Sequence, residues 1–331
     1  MGRGLKGVKT NKFDIWQLLY KYGILVTLVV LIAVFTITTG GTFLSASNIL
    51  NIFRSMSITA VIALGITFSV SVDGFDLSAG STVSLSSVFV ASMFVWFDMP
   101  ILPAILLTLA VSCIIGLINS FIIIKLKVPD MLATLASMFI IAGVALLYTS
   151  GKIVSKNMVM PNGDIATGEL PEAFMKIGQA PIIIIIMAVV LILSFIFLNF
   201  TKHGRYLYTI GGNDVAAELS GVKVKKYKTM AYVISSLLAG IGGIMLASRM
   251  SQANPGAGAS YLMEGVAATF IGQSFLGNGK ANAIGTFVGT LLMVSLANGL
   301  VMNNLNYYAT DIVKGIVLVL ALAITYASKK K

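Results

Sequence analysis

Apolar runs of about 20 residues recur along almost the whole chain, and nothing constrains its fold more. A bilayer with a hydrocarbon core of ~30 Å takes ~20 helical residues to cross. Inside it, every backbone N–H and C=O must find an internal partner. Such runs lie at roughly 23–40, 56–72, 80–97, 101–124, 131–149, 181–200, 229–248, 261–277, 281–301 and 309–328. The chain therefore reads as an all-α polytopic membrane protein with about ten transmembrane helices. One transmembrane domain spans 23–328, between short tails at 1–22 and 329–331.

Charge sets the expected orientation. Of 331 residues, 57% are hydrophobic and 11% charged, and the formal net charge is +11. In a soluble protein that excess would suggest nucleic acid. Here it sits in loops and tails with no aromatic stacking platform beside it, so no nucleic-acid partner is expected. Lys and Arg concentrate on the cytoplasmic side of membrane proteins. Arg3, Lys6, Lys9, Lys12 and Lys21 precede the first run, and Lys329, Lys330 and Lys331 end the chain. Both termini are thus expected in the cytoplasm of a bacterial cell. Alternation then puts 150–180 outside and the basic loop 201–228 inside. A cleaved signal peptide is the competing reading of residues 1–47. Ser45-Ala46-Ser47 resembles a cleavage site only faintly, so an uncleaved first helix is preferred.

Two runs are interrupted. Asp73-Gly74-Phe75-Asp76-Leu77-Ser78-Ala79-Gly80 divides what would otherwise be apolar from 56 to 97. Intramembrane carboxylates are expensive unless they face protein, water or a helix N-terminus. Asp73, Asp76 and Ser78 are accordingly candidates for a broken helix on a transport pathway. The plainer reading is a polar turn, with Asp76 capping the next helix. The second break, Ser251 to Ser260, holds Asn254. The breaks follow the second and seventh runs, the spacing of a five-helix unit used twice. Gly285 and Gly289 form a G-x-x-x-G pair suited to close helix contact.

Enzyme chemistry finds no footing. Cys113 and His203 are the only residues of their kinds, so neither a disulfide nor a Cys- or His-based metal site is expected. Gly277-Asn278-Gly279-Lys280-Ala281 lacks the glycine and hydroxyl of a phosphate loop, since Ser274 and Ala281 stand there. No catalytic residue and no cofactor is expected. Glu264, Asp311 and Lys314 are the ionisable groups nearest the last runs, and the last two can pair on one helix face.

The loop 201–228 carries six Lys and Arg around a small-residue centre. Asn213 or Asp214 can cap the N–H groups of a short helix. Gly221 suits the left-handed residue after its last turn. A rigid helix displayed beneath a membrane domain is something a soluble partner can grip.

Three segments in order resemble the membrane permeases of bacterial ATP-driven sugar importers, the ribose/xylose/galactose type, across roughly 45–326. Gly74-Phe75-Asp76-Leu77-Ser78-Ala79-Gly80-Ser81 is similar to that family's G-I-D-L-S-V-G-S. Gly211-Gly212-Asn213-Asp214-Val215-Ala216-Ala217-Glu218-Leu219-Ser220-Gly221 resembles its G-G-N-x-x-A-A-x-x-S-G. The third segment comprises Gly285-Thr286, Asn298-Gly299-Leu300 and Val313-Lys314-Gly315. The resemblance implies two permease subunits, identical or related, with a pathway at their interface. It also implies a cytoplasmic ATPase gripping Gly211, Gly212, Asn213, Asp214, Ala216, Ala217, Ser220 and Gly221, and an extracytoplasmic solute-binding protein. Asn254, Glu264, Asn298 and Lys314 join the pathway candidates. Where the family reads Y-E-L-D…L-G-G, this chain has Tyr261-Leu262-Met263-Glu264…Ile271-Gly272-Gln273, which bears on the solute. Nucleoside or branched-chain amino acid permeases are the alternative, with a stand-alone secondary transporter or a membrane scaffold further off.

Overall fold

The computed structural model describes residues 15–273, 275, 279–306, 309–317 and 319. They form α1 (Ile15–Thr38), α2 (Ala46–Ser71), α3 (Ala79–Val95), α4 (Ile101–Ile124), α5 (Asp130–Thr149) and α6 (Glu172–Ile177). There follow α7 (Ile182–Phe200), α8 (Lys202–Gly212), α9 (Asp214–Leu219), α10 (Val224–Met250), α11 (Gly258–Gln273) and α12 (Ala283–Met302). Residues 309–317 are helical as well. Among the described residues, six helices are long and apolar enough to cross a membrane: α2, α4, α5, α7, α10 and α12. Two more apolar stretches, Gly23–Thr38 and α3, are shorter. The protein is thus an all-α, multi-pass membrane protein. Residues 1–14 of the expected tail 1–22, the tail 329–331 and the second half of the last apolar run lie outside the described residues, while α1 already begins within that first tail.

The helices sort into a centre and a flank. In α2 and α10 67% and 72% of the most apolar stretch is buried, against 28%, 28% and 22% in α4, α5 and α7. α10 packs against α2, α3 and α4. Its glycines explain how: a Cβ at Gly240 would strike Ser112 of α4, one at Gly242 would strike Ile62 of α2, and one at Gly243 would strike Val83 of α3. The G-x-x-x-G pair of α12 is consumed within the chain. Gly285 lies on the backbone of Gly272 and Gly289 on that of Ala268, both in α11. Without a hydrophobic force between helices in lipid, such close approach is what holds them together. The first helix belongs to this assembly, since Phe35 fills the space beside Gly299 of α12.

Helices run past the hydropathy windows at several ends. α2 begins ten residues before the second run because Ser45 caps it, its Oγ accepting from Asn48 N–H at 3.3 Å. α10 begins at Val224, inside the basic loop, where long lysine stems can lie along the helix with their charges outward. The segment 150–180 is not featureless. It contains α6, an antiparallel bridge from Val154 to Ala253 and an ion pair between Lys156 and Glu169.

Candidate functional site

Most of the residues singled out above fall into three places. The first is the end of the molecule where α2 stops and α8 and α9 begin. α8, unforeseen as a helix, is capped by Thr201, whose Oγ1 accepts from Gly204 N–H at 3.1 Å. It buries Gly204, Leu207 and Ile210 on one face and leaves Arg205 and Tyr206 exposed. In its last turn is Gly211, where a Cβ would lie 3.1 Å from the Ser71 carbonyl carbon and 3.2 Å from Asp73 N. α8 and α2 therefore touch backbone to backbone. Gly212 meets nothing within 4 Å.

Asn213 then caps α9, its Oδ1 accepting from Ala216 N–H at 2.9 Å. Gly221 follows with φ +84°, the left-handed stop expected of it. Ser220 Oγ donates back to the Ala216 carbonyl at 2.8 Å, and Asp214 pairs with Lys228 at 3.3 Å. Ala217 is fully buried in the core cluster that also holds Leu207, Ile210 and Tyr227. The opposite face is bare: Val215 is 65% exposed and Leu219 85%. Four residues apart, they form one apolar ridge. The sequence motif drew attention to the small residues. The ridge was visible too, as the only large apolar side chains between Asp214 and Ser220.

The second place is the break between α2 and α3. Asp73, at φ 57° and exposed, closes α2 with its N–H on the Val70 carbonyl, while Gly74 N–H reaches the Ser69 carbonyl. Asp76 is fully buried and has no ion pair among the described residues. It does not cap α3, contrary to the sequence expectation. The cap position is Ser78, whose side chain makes no capping bond. Asp76 Oδ1 instead accepts from Ser78 N–H at 3.0 Å and Ser78 Oγ at 2.6 Å, and Oδ2 accepts from Ser235 Oγ of α10 at 2.7 Å. Asn119 of α4 donates to Ser78 Oγ at 2.8 Å. Bonds to a charged group contribute about 1.5–3 kcal/mol each. Three of them offset part of a desolvation cost of several kcal/mol. One turn earlier on α10, Tyr232 Oη donates to Asp130 Oδ2 of α5 at 2.5 Å. Gly74 sits against both groups, and a Cβ there would lie 2.7 Å from Asp130 Oδ2. α10, which starts three residues after Gly221, thus grips the break at two successive turns.

The third place is farther along α2 and α11, about midway along α2. Lys314 Nζ donates to Glu264 Oε1 at 2.7 Å, and Thr59 Oγ1 donates to Glu264 Oε2 at 3.1 Å. The expected Asp311–Lys314 pair is present but long, at 3.8 Å, with Asp311 turned to the surface. Lys314 serves chiefly to tie the helical stretch 309–317 to α11. Asn254 lies apart in an exposed turn, accepting from Gly256 N–H at 2.9 Å. Asn298 of α12 keeps a buried Oδ1 without a partner among the described residues.

The α2–break–α3 and capped α9 segments are two of the three that carry the family resemblance. A family model described as a branched-chain amino acid transport system permease component matches residues 48–322. The chain belongs to this permease family. It is 34% identical to the ribose import permease protein RbsC of Haemophilus influenzae, over 98% of both chains. It is 31% identical to the galactose/methyl galactoside import permease protein MglC of Escherichia coli, over 97% of this chain and 99% of that one. It is 30% identical to the xylose transport system permease protein XylH of Haemophilus influenzae, over 94% and 97%. No solved structure gives a significant match. The chain is thus the transmembrane component of an ATP-binding-cassette importer of the simple-sugar permease kind, a transport subunit and not an enzyme.

Proposed function

We propose that this permease passes a simple sugar, ribose first among them, inward across the bacterial cytoplasmic membrane. ATP hydrolysis is supplied by a separate cytoplasmic ATPase that docks on α9. A solute-binding protein meets the opposite end, and a second permease subunit completes the pathway. The observation that carries this reading is the build of α9. It is fixed beneath by Ala217, capped by Asn213, stopped by Gly221, and presents Val215 and Leu219 to water. An exposed apolar ridge on a rigid six-residue helix suits capture by a groove in a partner. Motion of α9 passes into α10 and, through Ser235 and Tyr232, to the α2–α3 break.

Ten spans with both termini in the cytoplasm complete the proposal, and an inverted pair of five-helix units underlies it. In support, each candidate half has a long helix, a break with a left-handed residue (Asp73, φ 57°; Ser251, φ 53°) and a short helix of 17 or 16 residues. The two short helices meet where Gly258 N–H donates to Ser84 Oγ at 2.8 Å.

The test is purification in mild detergent with the neighbouring transport subunits co-expressed, followed by ATPase and uptake measurements. Val215→Asp with Leu219→Asp should abolish capture of the ATPase while the permease still inserts and melts as wild type. Uptake of ribose, but not leucine, should require ATP. Uptake by the permease alone would instead assign a secondary carrier.

A further inference from the structure

Between the end of α4 and the start of α10 opens a groove of about 330 Å³. It follows from how the two helices meet. They touch along small residues: a Cβ at Gly116 would lie 2.7 Å from Val233 Cα, and one at Gly240 would strike Ser112. Beyond Gly116 the facing side chains are larger, and the helices part. Neither the α2–α3 break nor α9 contributes to the lining.

The lining has two unlike halves. Leu117 and Phe121 of α4 form an exposed apolar wall, continuous with the outward-facing Ile114 and Ile118. On a membrane-crossing helix, such a face meets acyl chains. The other half is cationic: Lys125 ends α4, and Lys225 and Lys226 stand in the first turn of α10. All three are exposed, and among the described residues none has an ion pair and no carboxylate lines the groove. Lys228, three residues past Lys225, differs in being paired with Asp214. The first turn of α10 holds no acid, so Lys225 and Lys226 also sit at the unfavourable, positive end of the helix dipole. Three cations drawn from two helices therefore repel one another across the groove. An anion placed between them turns that repulsion into a bridge.

The apolar wall decides which anion. A soluble phosphate would use the lysines and leave Leu117 and Phe121 bare, whereas a lipid satisfies both halves at once. We propose that this groove binds an anionic phospholipid, its phosphate between Lys125, Lys225 and Lys226 and its acyl chains along Leu117 and Phe121. The volume lies at the lower end of the ~300–1,000 Å³ of small-molecule sites, enough for a headgroup while the chains stay in the bilayer. Long lysine stems can lie against the apolar wall with their ammonium groups at headgroup level. The bound phosphate ties the start of α10, which follows α9, to the end of α4. Neither the identity of the solute nor the docking of an ATPase enters this inference.

The test titrates the full-length permease, in neutral detergent, with phosphatidylglycerol, phosphatidylcholine and glycerol 3-phosphate, counting bound ligand by native mass spectrometry. Phosphatidylglycerol should bind well ahead of the other two. Lys125→Gln, Lys225→Gln and Lys226→Gln should each weaken it about fivefold, the contribution of one lysine beside anionic lipid, and the triple variant about a hundredfold. Arginine at all three positions should restore binding. Lys127→Gln, which removes an exposed charge two residues past Lys125 but outside the groove, should leave binding unchanged. The lysines are exposed, so the variants should melt as wild type before lipid is added. Phosphatidylglycerol should also slow hydrogen exchange over 221–229 in the wild type and not in the triple variant. Equal binding of phosphatidylcholine, a triple variant that binds as wild type, or an equal loss in Lys127→Gln overturns the site. Glycerol 3-phosphate binding as tightly as phosphatidylglycerol makes it a site for soluble anions and overturns the lipid assignment. Lipid binding with no change in exchange overturns the bridge between α4 and α10.

Discussion

Replacing Gly211 by alanine tests how tightly the coupling segment is seated. The added methyl would fall inside contact distance of the Ser71 carbonyl oxygen, 3.1 Å from its carbon and 3.2 Å from Asp73 N. All three are backbone atoms at the end of α2, so no side chain can rotate out of the way. Carbon–oxygen contacts of this kind ordinarily sit at about 3.3–3.6 Å. α8 must therefore retreat from α2, at the ~1–3 kcal/mol typical of overpacking. That corresponds to roughly 5- to 150-fold in the ratio of seated to unseated α8. Gly212→Ala is the control, because nothing lies within 4 Å of it. Hydrogen exchange over 202–221, in detergent and with the ATPase absent, should rise by that factor for Gly211→Ala and stay at the wild-type level for Gly212→Ala. Uptake in the assembled transporter should fall in parallel. Equal protection in the two variants would refute the backbone contact between α8 and α2 and the transmission built on it.

Other outcomes follow from the same geometry. Lys314→Met or Glu264→Gln alone should destabilise the permease by about 2–4 kcal/mol in thermal unfolding, between the values for exposed and fully buried pairs. The double variant should cost less than either, and a simple sum would deny the pairing. Ser235→Ala should cost about 1.5–3 kcal/mol by removing one of the three donors to Asp76, whereas Ser235→Thr should restore most of it; a neutral alanine variant would show that Asp76 does not depend on α10.

Hydropathy located the six helices long and apolar enough to cross a membrane because it reports the solvent each stretch can tolerate. It misplaced their ends because a helix continues as long as its backbone bonds and caps allow. α2 starts at its Ser45 cap, and α10 starts among lysines. The short helix α9 was legible from Asn213 and Gly221, since capping is a local interaction. α8 was not, because its apolar residues Leu207 and Ile210 are too few to form a run. The partners of the buried charges were out of reach for a different reason. Asp76 meets Ser235 across 159 positions and Glu264 meets Lys314 across 50, and no local pattern encodes such pairings. Asp76 as a cap was a reasonable local inference; the nearer Ser78 hydroxyl and amide outcompeted the helix for its oxygen.

The centre of this molecule is lined by small hydroxyl-bearing side chains such as Ser57, Thr59, Thr67, Ser86, Ser87 and Ser236, while Leu106, Phe139, Leu147 and Ile192 look outward. Packing and compatibility with lipid are thus assigned to different residues. Over evolutionary time the outward set is free to drift among aliphatic and aromatic types, whereas a single methyl added inside has nowhere to go. The same division makes the chain a candidate for redesign as a water-soluble analogue, by exchanging only the outward residues of α4, α5 and α7 for polar ones.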